Sequence, residues 1–154
     1  MPKQLFWEDI TEGAEIPSLA KVANSRMLVK FAGASGDFNP LHYEDSFAAA
    51  QGVGKPIIHG QLKRSWLVQL ITDWMGEQGT LKKFACQFRG MDYPRLMKSM
   101  VEPHEGETWQ CKGRITKKYV EGKEHLVECE IWVENGKGEQ TTPGSAVVVL
   151  PSRS

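Results

Sequence analysis

Pro56-Ile57-Ile58-His59-Gly60-Gln61-Leu62-Lys63-Arg64-Ser65-Trp66-Leu67-Val68-Gln69-Leu70-Ile71-Thr72-Asp73-Trp74-Met75-Gly76 is the stretch whose reading decides the fold. Leu62, Trp66, Leu70 and Trp74 recur at every fourth position, and Leu67 and Ile71 widen the stripe. That spacing predicts a long, largely buried helix beginning just after Gly60. Lys63, Arg64, Gln69, Thr72 and Asp73 fall on its other side and read as the solvated face, while Gly76 and Gly79 mark its end.

Working outward, the chain has two regimes. From about Ser25 to Gly79 it reads as helix and loop. Ser25 is positioned to cap a short helix carrying Leu28, Phe31, Ala32 and Ser35 on one side, with Gly36 as its stop, and a second short helix near Ser46 to Gln51 ends at Gly52. Beyond the long helix the period changes to that of strands, at Leu81 to Arg89, Thr108 to Tyr119, Leu126 to Val133 and Gln140 to Leu150. Glu121-Gly122-Lys123 and Asn135-Gly136 supply turn chemistry between these runs, which predicts an antiparallel meander, and Glu15 to Val22 adds an earlier strand. One long buried helix wrapped by an antiparallel sheet is an α+β fold. Gly90 to Pro103 shows neither period and reads as a loop long enough to have a functional role.

At 154 residues, a single domain over 1–154 is the expected organisation. Nineteen basic residues balance nineteen acidic ones, which removes the electrostatic case for a nucleic-acid or anionic-membrane surface. Cys86, Cys111 and Cys129 lie in alternating stretches without a C-x-x-C pair and read as buried strand thiols of a reducing compartment. No run is apolar enough for a signal-peptide core or a bilayer span, so a cytoplasmic location is expected.

The chemistry-bearing residues flank this helix start. In Gly36-Asp37-Phe38-Asn39-Pro40-Leu41-His42, Pro40 prevents Asp37 and His42 from sharing a helical face and pushes Asn39 toward extended geometry. A shaped loop of this kind can turn a carboxylate and an imidazole onto one small molecule, a water being the obvious occupant, with Asn39 bonding back to fix the turn. Water attacks an activated double bond only with a proton acceptor and donor beside it, and an Asp and a His supply both. Gly60, at the start of the helix, leaves a backbone N–H that the helix dipole reinforces and that could hold the oxygen on which negative charge develops. Taken singly, Asp37 also reads as a turn residue, His42 as a satisfied loop histidine, Gly60 as a helix-start glycine and His59 as structural. No metal or redox cofactor is needed for this chemistry, and His104 and His125 lack ligand spacing to any Cys or carboxylate.

Gly36 to His42, the short helix after it and Ile58-His59-Gly60 ahead of a long helix closely resemble the MaoC-like (R)-specific enoyl-CoA hydratases. The resemblance covers about Ser25 to Met75 strongly and extends weakly through the strand-rich half. It implies a hot-dog fold and reversible hydration of a trans-2-enoyl thioester, on CoA or an acyl carrier, to the (3R)-3-hydroxyacyl thioester. On that pattern Asp37 and His42 hold and activate the water, the Gly60 N–H polarises the thioester carbonyl, and Asn39 and His59 support them. No cofactor is implied, CoA being part of the acyl-CoA substrate, and the partner is a second hot-dog unit, in a homodimer or a heteromeric pair. The sequence departs from the family pattern where Gln61, Lys63 and Arg64 stand in a stretch that is typically apolar and small.

Two further readings stay open. A hot-dog thioesterase would release free CoA, and a subunit that completes a heteromeric hydratase would be inactive alone. Arg89, Arg95, Lys98, Lys63 and Arg64 are candidate contacts for CoA phosphates, and Trp66 and Trp74 read as core aromatics.

Overall fold

The computed structural model describes residues 3–154. In chain order it comprises β1 (Glu15–Lys21), α1 (Ser25–Ser35), α2 (Asp45–Ala50), α3 (Gly60–Met75), β2 (Thr80–Cys86), β3 (Trp109–Glu121), β4 (Glu124–Glu134) and β5 (Gln140–Val149), with short 3-10 turns at Trp7–Asp9 and Pro40–His42. The strands form one antiparallel sheet in the order β1-β3-β4-β5-β2, so β3-β4-β5 is the meander the turn residues announce. β2, which directly follows α3, crosses to the far edge beside β5. α3 touches all five strands, and the sheet wraps it.

Period-two alternation explains which face is covered. On β3, Trp109, Cys111 and Ile115 point inward; on β4, Val127, Cys129, Ile131 and Val133 do so; all are buried against Leu62, Trp66, Leu67, Leu70 and Ile71 of α3. The opposite face carries polar pairs such as Arg114–Glu130 at 2.6 Å and Lys112–Glu134 at 2.9 Å. Burial pushes the Cys111 and Cys129 thiols each up to about 12, so both serve as neutral packing groups. Cys86 is only half-buried. Among the described residues no helix is long and apolar enough to cross a membrane.

Three local details correct the sequence reading. Asn24, not Ser25, caps α1: its Oδ1 accepts from the Met27 N–H at 3.0 Å, and Ser25 is the first helical residue. Gly36 does end that helix, in the left-handed region at φ 76°, where a side chain would be strained. Lys63 is not on a solvated face; it is 2% exposed, and its ammonium lies in the interior. Trp74, expected in the buried stripe, is only half-buried, and Met75 closes the inner face instead.

Asn24 does more than cap. Its Nδ2 donates to Glu102 Oε1 at 2.8 Å, and lies 3.0 Å from His104 Nδ1, so it also ties the 90–107 loop to the start of α1. Asn24→Ala is expected to destabilise the protein by about 0.5–2 kcal/mol through the cap alone. Urea unfolding of the two proteins checks this; equal midpoints and slopes would show that the cap contributes nothing.

Candidate active site

The end of α1, the 3-10 turn and the start of α3 meet at one place. Gly36 reverses the chain after α1, and the Asp37 N–H then donates to Ser35 Oγ at 3.2 Å. Asp37 Oδ1 accepts from the Asn39 N–H at 3.3 Å, and Asn39 Oδ1 accepts from the Leu41 N–H at 3.0 Å, capping the turn that carries His42. Asn39 therefore supports the loop through its own side chain. The Tyr43 hydroxyl closes the outside by donating to the Phe38 carbonyl at 2.9 Å.

Within that frame His42 Nε2 lies 3.8 Å from Asp37 Oδ2. The separation is too long for a direct hydrogen bond and short enough for one oxygen atom to reach both groups at about 2.8 Å each. The other ring nitrogen, Nδ1, is 2.8 Å from the Ile57 carbonyl oxygen. A carbonyl only accepts, so Nδ1 carries a proton and Nε2 is the ring nitrogen that faces Asp37. The Asp37 side chain is 37% exposed and stays reachable, whereas that of His42 is 10% exposed.

His59 lies fully buried behind this pair. Its ring stacks on His42 at 3.8 Å between centroids and 20° between planes, and Phe31 meets it edge-on at 4.9 Å. Its Nε2 donates to the Asp37 carbonyl at 3.3 Å, while Nδ1 is buried without a partner among the described residues. Burial first, and the neighbouring His42 second, hold the His59 pKa below its ordinary 6.5, so the ring is neutral. The unfolded chain thus takes up a proton below about pH 6.5 that the folded chain refuses, and stability falls as pH drops through that window until the folded group also titrates. The expected outcome is a melting temperature that declines between neutral pH and pH 5 and declines less steeply in His59→Gln; parallel curves would assign the acid sensitivity elsewhere.

Asp37, His42 and His59 bring potential ligand atoms within 4.8 Å of one another. The two imidazoles are stacked, and one nitrogen of each faces a backbone carbonyl oxygen.

Gly60 is the first residue of α3, and no described residue accepts from its N–H. That donor is one of the orphan groups of a helix start and lies at the positive end of the α3 dipole. A Cβ at Gly60 would stand 2.7 Å from the Phe88 ring, so a side chain there would force that ring to shift, although the backbone angle at Gly60 is an ordinary one. A cavity of about 310 Å³ opens beside His42, walled by Leu28, Val29, Tyr43, Pro94 and Leu96.

Sequence reasoning missed one part of the site. Lys63 Nζ donates to Asp92 Oδ2 at 2.8 Å and to the Gly90 carbonyl at 2.9 Å, and both side chains of the ion pair are almost fully buried. The clue was available, because Lys63 shares its helical face with Leu67 and Ile71, and a charge on a buried stripe demands a partner. This burial takes Lys63 out of the set of candidate phosphate contacts. Arg95 leaves it too, since its guanidinium donates to the Glu107 and His104 carbonyls and to Thr108 Oγ1 at 2.6–2.9 Å. Arg64 lies over the Phe84 ring, Arg89 bonds Gln87 at 2.7 Å, and Lys98 is exposed.

Comparison with known proteins agrees with this architecture. An (R)-specific enoyl-CoA hydratase of Aeromonas caviae is 38% identical over 60 residues, which is 39% of this chain and 42% of that protein, so the chain spans less than half of this relative's length. Among solved structures, an (R)-hydratase from A. caviae involved in PHA biosynthesis superposes with a TM-score of 0.76 at 23% identity, covering 94% of this chain and 99% of that one. The ChsH1-ChsH2 complex from Mycobacterium tuberculosis matches with a TM-score of 0.73 at 19% identity, covering 91% and 98%. These two likenesses establish the hot-dog fold. The MaoC like domain family matches residues 10–125, well over half of the sequence, and the chain belongs to that family.

Proposed function

We propose that this protein is a hydratase of trans-2-enoyl thioesters, adding water reversibly to give the (3R)-3-hydroxyacyl thioester. The observation that carries the reading is the placement of His42 Nε2 3.8 Å from Asp37 Oδ2. A water that donates one hydrogen to each turns its oxygen lone pairs outward, toward the β-carbon of a bound substrate. As the C–O bond forms, one acceptor takes the water proton, and the electron pair of the double bond moves through the α-carbon onto the thioester oxygen. The Gly60 N–H stabilises that enolate oxygen at the positive end of α3. Return of the proton to the α-carbon completes the addition, so H and OH are gained and nothing else is consumed. His59 keeps the Asp37 backbone and the His42 ring in place, and the cavity beside His42 is lined by Leu28, Val29 and Leu96 together with Asp45 and Lys55.

Phe38, Tyr43 and Phe88, which adjoin Asp37, His42 and Gly60, are each 48–60% exposed, which supports completion of the site by a second hot-dog unit, either another copy or a heteromeric partner. The test is direct. Purified protein with trans-2-enoyl-CoA should consume the enoyl-thioester absorbance without releasing thiol; release of free CoA would instead favour the thioesterase reading, and activity appearing only on addition of a partner subunit would favour the heteromeric one.

A further inference from the structure

Two buried charges next to a helix start call for an explanation. Lys63 lies one turn along α3 from Gly60, and Asp92 gathers four segments around it. Asp92 Oδ2 accepts from Lys63 Nζ at 2.8 Å, Oδ1 accepts from Trp109 Nε1 at 2.9 Å, and the Asp92 carbonyl accepts from the Ile58 N–H at 2.8 Å. The loop after β2, the start of β3, the first turn of α3 and the extended segment that delivers His59 and Gly60 are thus pinned to one residue. Stability alone does not account for this arrangement, because an apolar pair of similar volume is often as stable as a buried ion pair or more so. Directionality does account for it: close-packed apolar side chains tolerate small slides, whereas an ammonium held by a carboxylate and the Gly90 carbonyl fixes the rotation and height of the helix start.

We infer that Lys63 and Asp92 are positioning residues for the Gly60 N–H, an inference that rests on the hydratase reading of that donor. They clamp α3 from the inside, and the Phe88 ring lies close against Gly60. Misplacement of a catalytic group by about 1 Å can cost about 10²-fold in rate.

Lys63→Met alone would strand a carboxylate in the interior, so the deciding variant is Lys63→Met/Asp92→Asn, which removes both charges and keeps an oxygen for Trp109. A second neutral pair, Lys63→Leu/Asp92→Asn, guards against a packing fault peculiar to methionine. The expected result for the folded variants is a kcat lowered by about 10- to 100-fold with KM little changed, together with faster amide exchange across residues 57–62. A kcat equal to wild type in a variant that melts at the wild-type temperature overturns the inference, as does a loss that tracks the melting temperature and disappears on cooling. Wild-type activity is measured alongside. A wild type inert on every enoyl thioester removes the hydratase reading, and amide exchange alone then decides whether the clamp fixes the helix start, unchanged exchange overturning it.

Discussion

Asp37→Asn is expected to lower kcat for enoyl-thioester hydration by about 10²–10⁴-fold, the range lost when a positioned acid–base group is removed. Asparagine keeps the size of the side chain, and its Oδ1 can still accept from the Asn39 N–H, so the loop persists. What disappears is the carboxylate oxygen that stands 3.8 Å from His42 Nε2. An amide at that place offers a neutral acceptor or a donor, and neither takes a proton from water. His42→Ala is expected to fall in the same range, and the double variant to fall little further, because the two groups act on one water and their losses do not add. Progress curves at saturating substrate check both, with circular dichroism confirming the fold. Wild-type kcat in either single variant would remove that residue from the mechanism.

The second large effect is expected at Gly60. Simple replacement confounds two causes, since a Cβ there meets the Phe88 ring at 2.7 Å. Phe88 is 48% exposed, so Phe88→Ala makes room at modest cost and gives a clean comparison. In that background Gly60→Ala keeps the N–H, and Gly60→Pro deletes it. Proline is well tolerated at the first helical position, and His59, at φ −53° and ψ 129°, already has the extended geometry that a following proline requires. The two variants therefore differ chiefly in one hydrogen-bond donor. The proline form should be slower in kcat by about 10²–10³-fold, as found when one oxyanion donor is lost. Equal rates would mean that the charge on the thioester oxygen is met elsewhere.

Much of this was legible in the sequence for identifiable reasons. α3 shows itself because six apolar residues between Leu62 and Trp74 share one stripe, and it starts at Gly60. Asp37, Asn39 and His42 are legible because Pro40 forces a loop, and a loop this rich in polar side chains must bond within itself, as it does. Ser25 was mistaken for the cap of α1 because Asn24 and Ser25 are both good caps and adjacent; the choice was made by Asn24 reaching Glu102 and His104, residues far away in sequence.

Lys63 was placed on the wrong face for a similar reason. Lysine is almost always solvated, and its counter-ion Asp92 lies in an aperiodic loop whose path only the folded structure discloses. Trp109, whose indole N–H meets the same carboxylate, reads from sequence as an ordinary strand residue. Long-range polar contacts leave no period behind them, which is why the Asp37-to-His42 loop could be read and the Lys63–Asp92 ion pair could not.

In the proposed reaction Asp37 and His42 deliver a water to the β-carbon while Gly60 holds the thioester oxygen. Reaction of the protein with a trans-2-enoyl-CoA in water carrying a heavy oxygen isotope, followed by mass analysis and chiral separation of the products, tests it most directly. One heavy oxygen is expected in the 3-hydroxyl group of an intact acyl-CoA, R-configured, with no free CoA and with the signal lost in Asp37→Asn. Heavy oxygen in a released carboxylate, or hydration that persists undiminished in Asp37→Asn, would contradict it.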